Sequence, residues 1–214
     1  MDKRIFYKDG VFHIFTRSIA EYKIFKDNND YLRFIEMLKF YQYKRNCSFS
    51  YYLKTKEIPQ KNLDKIGEKI IRIISYCLMP THIHLILSSE VEDGITKFMK
   101  NLLDSYTRYF NTKTKRKGPL WESRFKSVLL ETDEQLFHLT RYIHLNPVTA
   151  YLINKPEEWQ YSAYSEYLDS IKQEKKICEY DNLLEINPEK YREFVENRIS
   201  YKRELAKIKK IVFD

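Results

Sequence analysis

The sequence predicts an α+β fold built on a ferredoxin-like (RRM-like) β-α-β-β-α-β antiparallel sheet. The order of its segments gives this prediction, since β-rich runs such as VFHIFT, IIRIISYCLM and HIHLIL alternate with stretches of helical periodicity. The composition supports a folded core, because 43% of the 214 residues are hydrophobic and 15% are aromatic. The predicted strands are residues 11–16, 70–79, 82–87 and 125–130.

The first half of the chain is expected to hold three of these strands and one helix. β-branched and aromatic residues favour the first strand, and a helix follows from about residue 29, where apolar residues recur at helical spacing. The polar stretch 47–67 predicts a loop. The second and third strands form a hairpin around a turn at Pro80 and Thr81.

The second half adds two helices and the last strand. A helix is predicted over residues 95–111 and a basic loop over 113–118. A further helix starts at Asp133, and Pro147 is expected to end it, because the residue before a proline is pushed out of the helical region. The first two helices cover one face of the sheet. The other face is expected to stay free, as it does in RNA-recognition domains.

The composition and length of the chain predict its domain organisation and its cellular compartment. We expect one domain over residues 1–167, with an excursion at 47–68, and a charged, helical C-terminal extension over 168–214. Three scattered cysteines in no metal spacing fit reduced thiols. No apolar run approaches the roughly 20 residues of a membrane helix, and the first residues do not resemble a signal peptide. These features predict a cytoplasmic protein with no membrane partner.

Most of the net charge of +8 lies in residues 97–126, which hold nine Lys and Arg against two acidic residues. Aromatic side chains such as Tyr109, Trp121 and Phe125 interleave with these cations. Cations for phosphates and rings for bases are typical of a surface that binds single-stranded nucleic acid. The segment alone fits equally well a solvated helix and a basic loop over core aromatic residues. The candidate DNA-binding cations are Arg108, Lys113, Lys115, Arg116, Lys117 and Arg124.

Two pairs of residues suggest chemistry. His82 and His84 are two apart on a predicted strand, so both side chains leave the same face and can share a divalent ion, although a half-exposed histidine pair is the commoner explanation. Tyr142 and Asn146 are four apart on the last helix and project from one face. A carboxamide oxygen suits Mg²⁺ or Mn²⁺, and a phenol can act as a covalent nucleophile, although most helical tyrosines pack in the core.

Three motifs in this order resemble those of the single-tyrosine transposases of the HUH superfamily, most closely the REP-associated tyrosine transposases. They are YCLMPTHIHLIL, WESRFKS and RYIHLNPVTAYL, and the resemblance covers roughly residues 5–167. It implies that residues 1–167 are a catalytic domain in which a catalytic helix is added to the sheet. The family often has Asn before the first histidine, where this chain has Thr81, and its connection is usually shorter than residues 47–68.

The resemblance also implies roles for individual residues. His82 and His84 would hold a catalytic Mg²⁺ or Mn²⁺, Asn146 would complete metal binding, and Tyr142 would be the nucleophile. The implied reaction is cleavage and rejoining of single-stranded DNA, with hairpin structure, through a 5′-phosphotyrosine intermediate. A monomer or a homodimer is implied, with the tyrosine serving its own site or a neighbour's. Two rivals stay open: a non-catalytic single-stranded nucleic-acid-binding module, and a metal-dependent hydrolase that leaves no protein attached to the DNA.

Other residues near the motifs allow two explanations each. Arg124 is the first candidate for a phosphate contact, with Trp121 packing or stacking beside it, but a structural hydrogen-bond network fits the pair equally well. His13 and Arg17 share a strand face and could line the same groove, and a structural role is favoured for both. His144 lies two positions from the candidate nucleophile on a helix, so we expect it to point away from the site.

Overall fold

The computed structural model describes residues 6–55 and 67–203. Its sheet has four strands: β1 (Val11–Arg17), β2 (Ile71–Met79), β3 (His82–Ser89) and β4 (Lys126–Leu129). Their order is β2-β3-β1-β4, and every neighbouring pair is antiparallel. The predicted α+β class is confirmed, and this strand order is consistent with the ferredoxin-like topology.

The helices surround this sheet. They are α1 (Asn28–Tyr41), α2 (Phe49–Thr55), α3 (Gly94–Thr114), α4 (Asp133–Thr149), α5 (Tyr164–Tyr167) and α6 (Pro188–Glu196), with 3₁₀ turns at Ile19–Glu21, Pro156–Glu158 and Gln173–Lys175. As predicted, α1 and α3 pack together over one face of the sheet. On β3 that face consists of Ile83, Leu85 and Leu87, all fully buried.

Side-chain caps set the starts of two helices. The carboxylate of Asp27 accepts a hydrogen bond from the Asp30 amide at 3.1 Å and begins α1. The Thr132 hydroxyl accepts from the Gln135 amide at 3.1 Å and begins α4. Such caps satisfy amide groups that have no partner within the helix. The start of α4 at Asp133 is therefore where the sequence predicts it.

The expectation that Pro147 ends the last helix is wrong, since α4 continues to Thr149. A proline removes only one hydrogen bond when it lies in the last turn of a helix. The Ala150 amide still donates to the Asn146 carbonyl at 2.9 Å, which closes the final turn. Asn146 therefore lies within regular helix, and not in the frayed end that the sequence suggests.

The predicted loop at residues 47–67 is also wrong in part, because α2 lies inside it. Phe49 is fully buried, and its ring packs against Phe40 with centroids 5.4 Å apart. Tyr52 and Leu53 of the same helix also pack against the core, so three apolar side chains anchor this short helix in a polar stretch. Residues 56–66 of the predicted excursion lie outside the described residues. The basic loop also starts later than predicted, because α3 extends through Thr114.

The second face of the sheet is not entirely free, which corrects the prediction. Helix α4 packs against β2 on this face, where His144 lies 3.0 Å from the Ser75 hydroxyl. Tyr191 of α6 bonds to the same imidazole at 2.8 Å. The covering helix leaves a cavity beside the half-exposed His82 and the buried His84.

The residues after 167 pack onto the sheet domain. The buried carboxylate of Glu166 accepts hydrogen bonds from the Ile177 and Cys178 amides, at 2.9 and 2.8 Å. The division at residue 167 stays a prediction, as does the end of the extension, because residues 204–214 lie outside the described part of the chain. Among the described helices, none is both long and apolar enough to cross a membrane.

Candidate active site

The two histidines of β3 lie side by side on the partly uncovered face. His82 pairs with Arg17 across the sheet and His84 pairs with Phe15, so the four side chains share that face. The two imidazole rings lie 5.2 Å apart between centroids and are almost perpendicular, at 88°. The predicted sharing of one face is confirmed.

Helix α4 brings Tyr142 to the histidine pair within the same chain. The phenol ring meets the His84 ring edge-on, with centroids 5.9 Å apart and planes at 89°. Tyr142 keeps 40% of its surface exposed and lines the cavity. Residues 58 positions apart in the sequence thus come together as the motifs predict.

A third histidine lies in direct contact with this pair. His13 of β1 is 8% exposed, and its Nε2 lies 3.0 Å from Nδ1 of His84. Its ring stacks on Phe15 and on His84, with centroid distances of 4.8 and 5.2 Å. The sequence favours a structural role for His13 and does not connect it to His84.

Burial keeps these imidazoles neutral. It lowers the pKa of His84 to about 3, with further contributions from the nearby His82 and His13. Burial lowers the pKa of His13 to about 4. The pKa of His82 is also lowered, by burial and then by the charge of Arg17. Neutral imidazole is the form that binds metal ions, so these rings do not need to lose a proton first.

A cavity of about 410 Å³ joins these residues to charged side chains. Arg17 and Glu122 line it and form an ion pair at 3.2 Å. Arg124 and Lys126 also line it, and neither forms an ion pair with the described residues. Glu21 lies in the wall as well, with a backbone φ of +52°. The cavity therefore carries cations beside the tyrosine and the histidines.

Asn146 lies one turn beyond Tyr142 but does not line this cavity. It is half-buried, and its Nδ2 is buried with no hydrogen-bond partner among the described residues. The side-chain nitrogen of Asn146 is thus not held by a hydrogen bond to any other described residue. The assignment of Asn146 to metal binding stays a prediction.

The structure does not bring the other candidate DNA-binding residues to the cavity. The Trp121 indole donates to the Thr107 hydroxyl at 3.0 Å and packs on α3. Lys113 forms ion pairs with Asp27 and Asp30, at 2.7 and 2.6 Å. Both side chains therefore hold α3 in place, which is the structural alternative that the sequence left open.

The remaining cations of the segment point in several directions. Arg116 folds back onto the Gly118 and Pro119 carbonyls, and Arg108 lines a different groove on α3. Lys115 and Lys117 are exposed after the helix. A long helix spreads its side chains around its circumference, so a basic segment need not be a single basic surface.

His144 lies outside the site, as expected. It is fully buried, with its two ring nitrogens 3.0 Å from the Ser75 hydroxyl and 2.8 Å from the Tyr191 hydroxyl. Burial lowers its pKa to about 3. It therefore serves as a neutral connector between β2, α4 and α6.

The donor chemistry fits a divalent ion held by two imidazoles. Among residues 6–55 and 67–203, no group of three or more His, Cys, Asp or Glu side chains is arranged to hold a metal. Both ligand candidates of β3 keep Nε2 without a hydrogen-bond partner in the described residues, whereas each Nδ1 is bonded. A neutral imidazole with its proton on Nδ1 offers a lone pair at Nε2, and two such nitrogens suit an ion that takes its other ligands from an amide, water or substrate oxygens.

Comparison with known proteins shows a likeness to transposases over part of the chain. Residues 51–146 match the family model described as "Transposase IS200 like", a range that contains the histidine pair and the tyrosine. This range is somewhat less than half of the chain, and over it the chain resembles the IS200-like transposases. The resemblance extends to the REP-associated tyrosine transposases, as the sequence motifs predict.

Two relatives carry this resemblance. A curated protein of Haemophilus influenzae, named as a REP-associated tyrosine transposase, is 27% identical over 101 residues, which are 42% of this chain and 57% of the relative. The match thus spans little more than half of the relative's length. A solved structure of a REP-associated tyrosine transposase bound to a REP hairpin aligns with a TM-score of 0.54, over 87% of this chain and 98% of that one. At 13% identity this second likeness shows the fold.

Proposed function

We propose that the chain cleaves and rejoins single-stranded DNA as a metal-dependent transposase, through a 5′-phosphotyrosine intermediate. One observation carries the proposal: the Tyr142 ring lies edge-on against His84, one of two neutral histidines on the same face. A nucleophile beside a candidate metal site is the arrangement that phosphoryl transfer needs. The reaction would take place in the bacterial cytosol, on DNA with hairpin structure.

The histidine pair would hold the ion. His82 and His84 would each give one nitrogen to Mg²⁺ or Mn²⁺, and Asn146 is proposed to give a third ligand through its carboxamide oxygen. When bound, the ion supplies Lewis-acid polarisation of the scissile phosphate and neutralises the charge that develops on it. All other groups in the reaction belong to the chain or to the DNA.

Tyr142 would supply the nucleophile. Its phenolic oxygen attacks phosphorus, the bond from phosphorus to the 3′ oxygen breaks, and the DNA 5′ phosphate becomes joined to the tyrosine. The released 3′ oxygen takes a proton, and the phenol loses one. Burial raises the pKa of Tyr142 above its ordinary value, so the phenol is protonated at neutral pH and must lose that proton as it attacks.

The intermediate allows rejoining without another energy source. A second 3′ hydroxyl attacks the same phosphorus, the bond to the tyrosine oxygen breaks, and the phenol is restored. The number of phosphoester bonds is unchanged in each half of this exchange. Strand transfer is therefore chemically balanced with DNA as the only co-substrate.

The charged wall of the cavity suits a DNA strand. Arg124 and Lys126 lie beside Tyr142 and form no ion pair with the described residues, so they are available to phosphates. A related transposase has been solved with a REP hairpin bound. We therefore propose a single strand next to a hairpin as the substrate.

The test is a covalent-adduct assay. Purified protein is mixed with fluorescent single-stranded DNA that contains a hairpin, with Mn²⁺ or with a chelator, and separated under denaturing conditions. We expect a labelled protein band only with the metal ion. Tyr142→Phe should abolish the band, whereas Tyr7→Phe should keep it, since Tyr7 is exposed and lies outside the cavity.

Each other outcome contradicts a part of the proposal. An adduct formed by Tyr142→Phe would assign the nucleophile elsewhere. Cleaved DNA with no labelled protein would indicate a hydrolase. Salt-dependent binding without cleavage, unchanged in His82→Ala and His84→Ala, would indicate a non-catalytic nucleic-acid-binding module.

A further inference from the structure

Each histidine of the pair has one ring nitrogen fixed by a neighbour in this chain. Nδ1 of His84 lies 3.0 Å from Nε2 of His13. Nδ1 of His82 lies 3.0 Å from the hydroxyl oxygen of Thr81. The two contacts are equal in length, although one partner comes from a neighbouring strand and the other from the adjacent turn.

We infer that His13 is a positioning residue that fixes the tautomer of His84, and that Thr81 does the same for His82. The Nδ1–H of His84 donates to the lone pair of His13 Nε2, which leaves Nε2 of His84 unprotonated. The Nδ1–H of His82 donates to the Thr81 hydroxyl oxygen. This inference rests on the proposed function for its purpose, because an unprotonated Nε2 is what a metal ion needs.

The surroundings of His13 suit this task. The residue is 8% exposed, and its ring lies parallel to the Phe15 and His84 rings, at 29° and 17°. Its strand, β1, is hydrogen-bonded on both sides, to β3 and to β4. A buried ring that contacts two other rings on a central strand has little freedom to turn, so its Nε2 stays aimed at His84.

Loss of this acceptor has a definite consequence. Without a partner at Nδ1, the proton of neutral His84 can move to Nε2, and that tautomer has no lone pair there to offer a metal ion. The ring would also lose one of the contacts that orient it. Removal of such a supporting hydrogen bond typically lowers metal affinity by about 10- to 100-fold.

The test uses the full-length protein with ¹⁵N-labelled histidine. Long-range ¹H–¹⁵N spectra of the metal-free protein at pH 7.5 report which nitrogen of His84 carries the proton. We expect Nδ1 in the wild type and a shift of the proton to Nε2 in His13→Phe, which keeps a ring of similar size. His13→Gln restores an acceptor oxygen and should keep the wild-type tautomer. His138→Gln, on an exposed histidine of α4, should change nothing.

Mn²⁺ binding by calorimetry provides the second readout. We expect His13→Phe to weaken Mn²⁺ binding by about 10- to 100-fold relative to the wild type, and His13→Gln to weaken it less. Thr81→Val removes the proposed Nδ1 partner of His82 and lies in a half-exposed turn. It therefore tests the same inference at His82, and it replaces His13→Phe if that variant does not fold.

The outcomes separate this inference from the proposed function. A wild-type His84 with its proton on Nε2 would overturn the inference, and so would unchanged tautomers in His13→Phe and Thr81→Val. A wild type that shows the expected tautomers and binds no Mn²⁺ would leave the inference standing and would overturn the metal dependence of the proposed function.

Discussion

The Tyr142 ring meets the His84 ring edge-on within a single chain, at a centroid distance of 5.9 Å. One protomer therefore contains both the candidate nucleophile and the candidate metal ligands. A site completed by a neighbour's helix would instead leave these two residues apart in each chain. We therefore propose that Tyr142 acts at the site of its own chain.

This geometry predicts the result of a mixing experiment. Tyr142→Phe and His84→Ala should each form no adduct alone, and a mixture of the two should form none either. Each protein lacks one half of the same site, and neither can supply the other's missing half. Adduct formation by the mixture, in the gel assay, would show that the tyrosine acts on a neighbour's site.

The buried His144 predicts a pH dependence of stability. Burial lowers its pKa to about 3, against about 6.5 in the unfolded chain. The unfolded chain therefore binds the proton first, and the free energy of unfolding falls as the pH drops below about 6.5.

The variant His144→Gln isolates this effect, because glutamine does not titrate. Between pH 7.5 and 5.0 the wild type should lose about 2 kcal/mol of stability that the variant does not lose. Urea unfolding of both proteins at the two pH values measures the difference. Equal losses in the two proteins would mean that His144 is not held neutral by the fold.

A buried carboxylate joins α1 to α3. Asp30 is fully buried and accepts hydrogen bonds from the Lys26 amide, the Tyr109 hydroxyl and the Lys113 ammonium group, at 2.9, 2.7 and 2.6 Å. Asp30→Asn should lower the free energy of unfolding by about 3 kcal/mol, because it leaves a partly buried cation without its buried partner.

Asp27→Asn is the matched control for this carboxylate. Asp27 also pairs with Lys113, but 48% of its side chain is exposed, and asparagine keeps the helix cap. We expect a loss below about 1 kcal/mol. Urea unfolding measures both variants, and equal losses would show that burial does not decide the strength of this ion pair.

Two arginines distinguish the proposed DNA path from the rest of the basic segment. Arg124 lines the cavity beside Tyr142, whereas Arg108 lines a different groove on α3. Arg124→Ala should weaken binding to single-stranded hairpin DNA. It should also reduce the slope of log affinity against log salt concentration by about one, the amount expected for one lost phosphate contact. Arg108→Ala should leave both almost unchanged. Fluorescence anisotropy at salt concentrations from about 50 to about 200 mM gives both the affinity and its salt dependence. A larger effect at Arg108 would place the strand on the other groove.

The sheet and the histidine pair could be predicted because they depend on local patterns. A period of two along HIHLIL sends His82 and His84 to one face, and the Pro80–Thr81 turn makes β2 and β3 a hairpin. The helical spacing of Tyr142 and Asn146 is local as well. The resemblance to known motifs then predicted that the histidine pair, Tyr142 and Asn146 belong to one site.

The contact between His13 and His84 could not be predicted, because it depends on strand register. The two residues are 71 positions apart, and nothing in the sequence states that His13 faces Ile86 across the β1–β3 ladder. A shift of one residue would have sent the His13 ring to the opposite face. Only its place in VFHIFT, alternating with Phe12 and Ile14, gave a signal.

The basic segment misled for a different reason. Charge along the chain does not state which cations already have partners, and Lys113 is bound to carboxylates more than 80 residues away. Trp121 is likewise held by Thr107. Because of long-range ion pairs and the spread of side chains around α3, the nine cations of residues 97–126 lie on different surfaces. Of these nine, only Arg124 and Lys126 line the cavity.

The most direct test of the central claim is to identify the residue that carries DNA. The wild-type adduct is digested with nuclease and protease, and the nucleotide-bearing peptide is sequenced by tandem mass spectrometry. We predict a single modified peptide with the phosphate on Tyr142. A phosphate on any other of the 18 tyrosines, such as the more exposed Tyr151, would contradict the account.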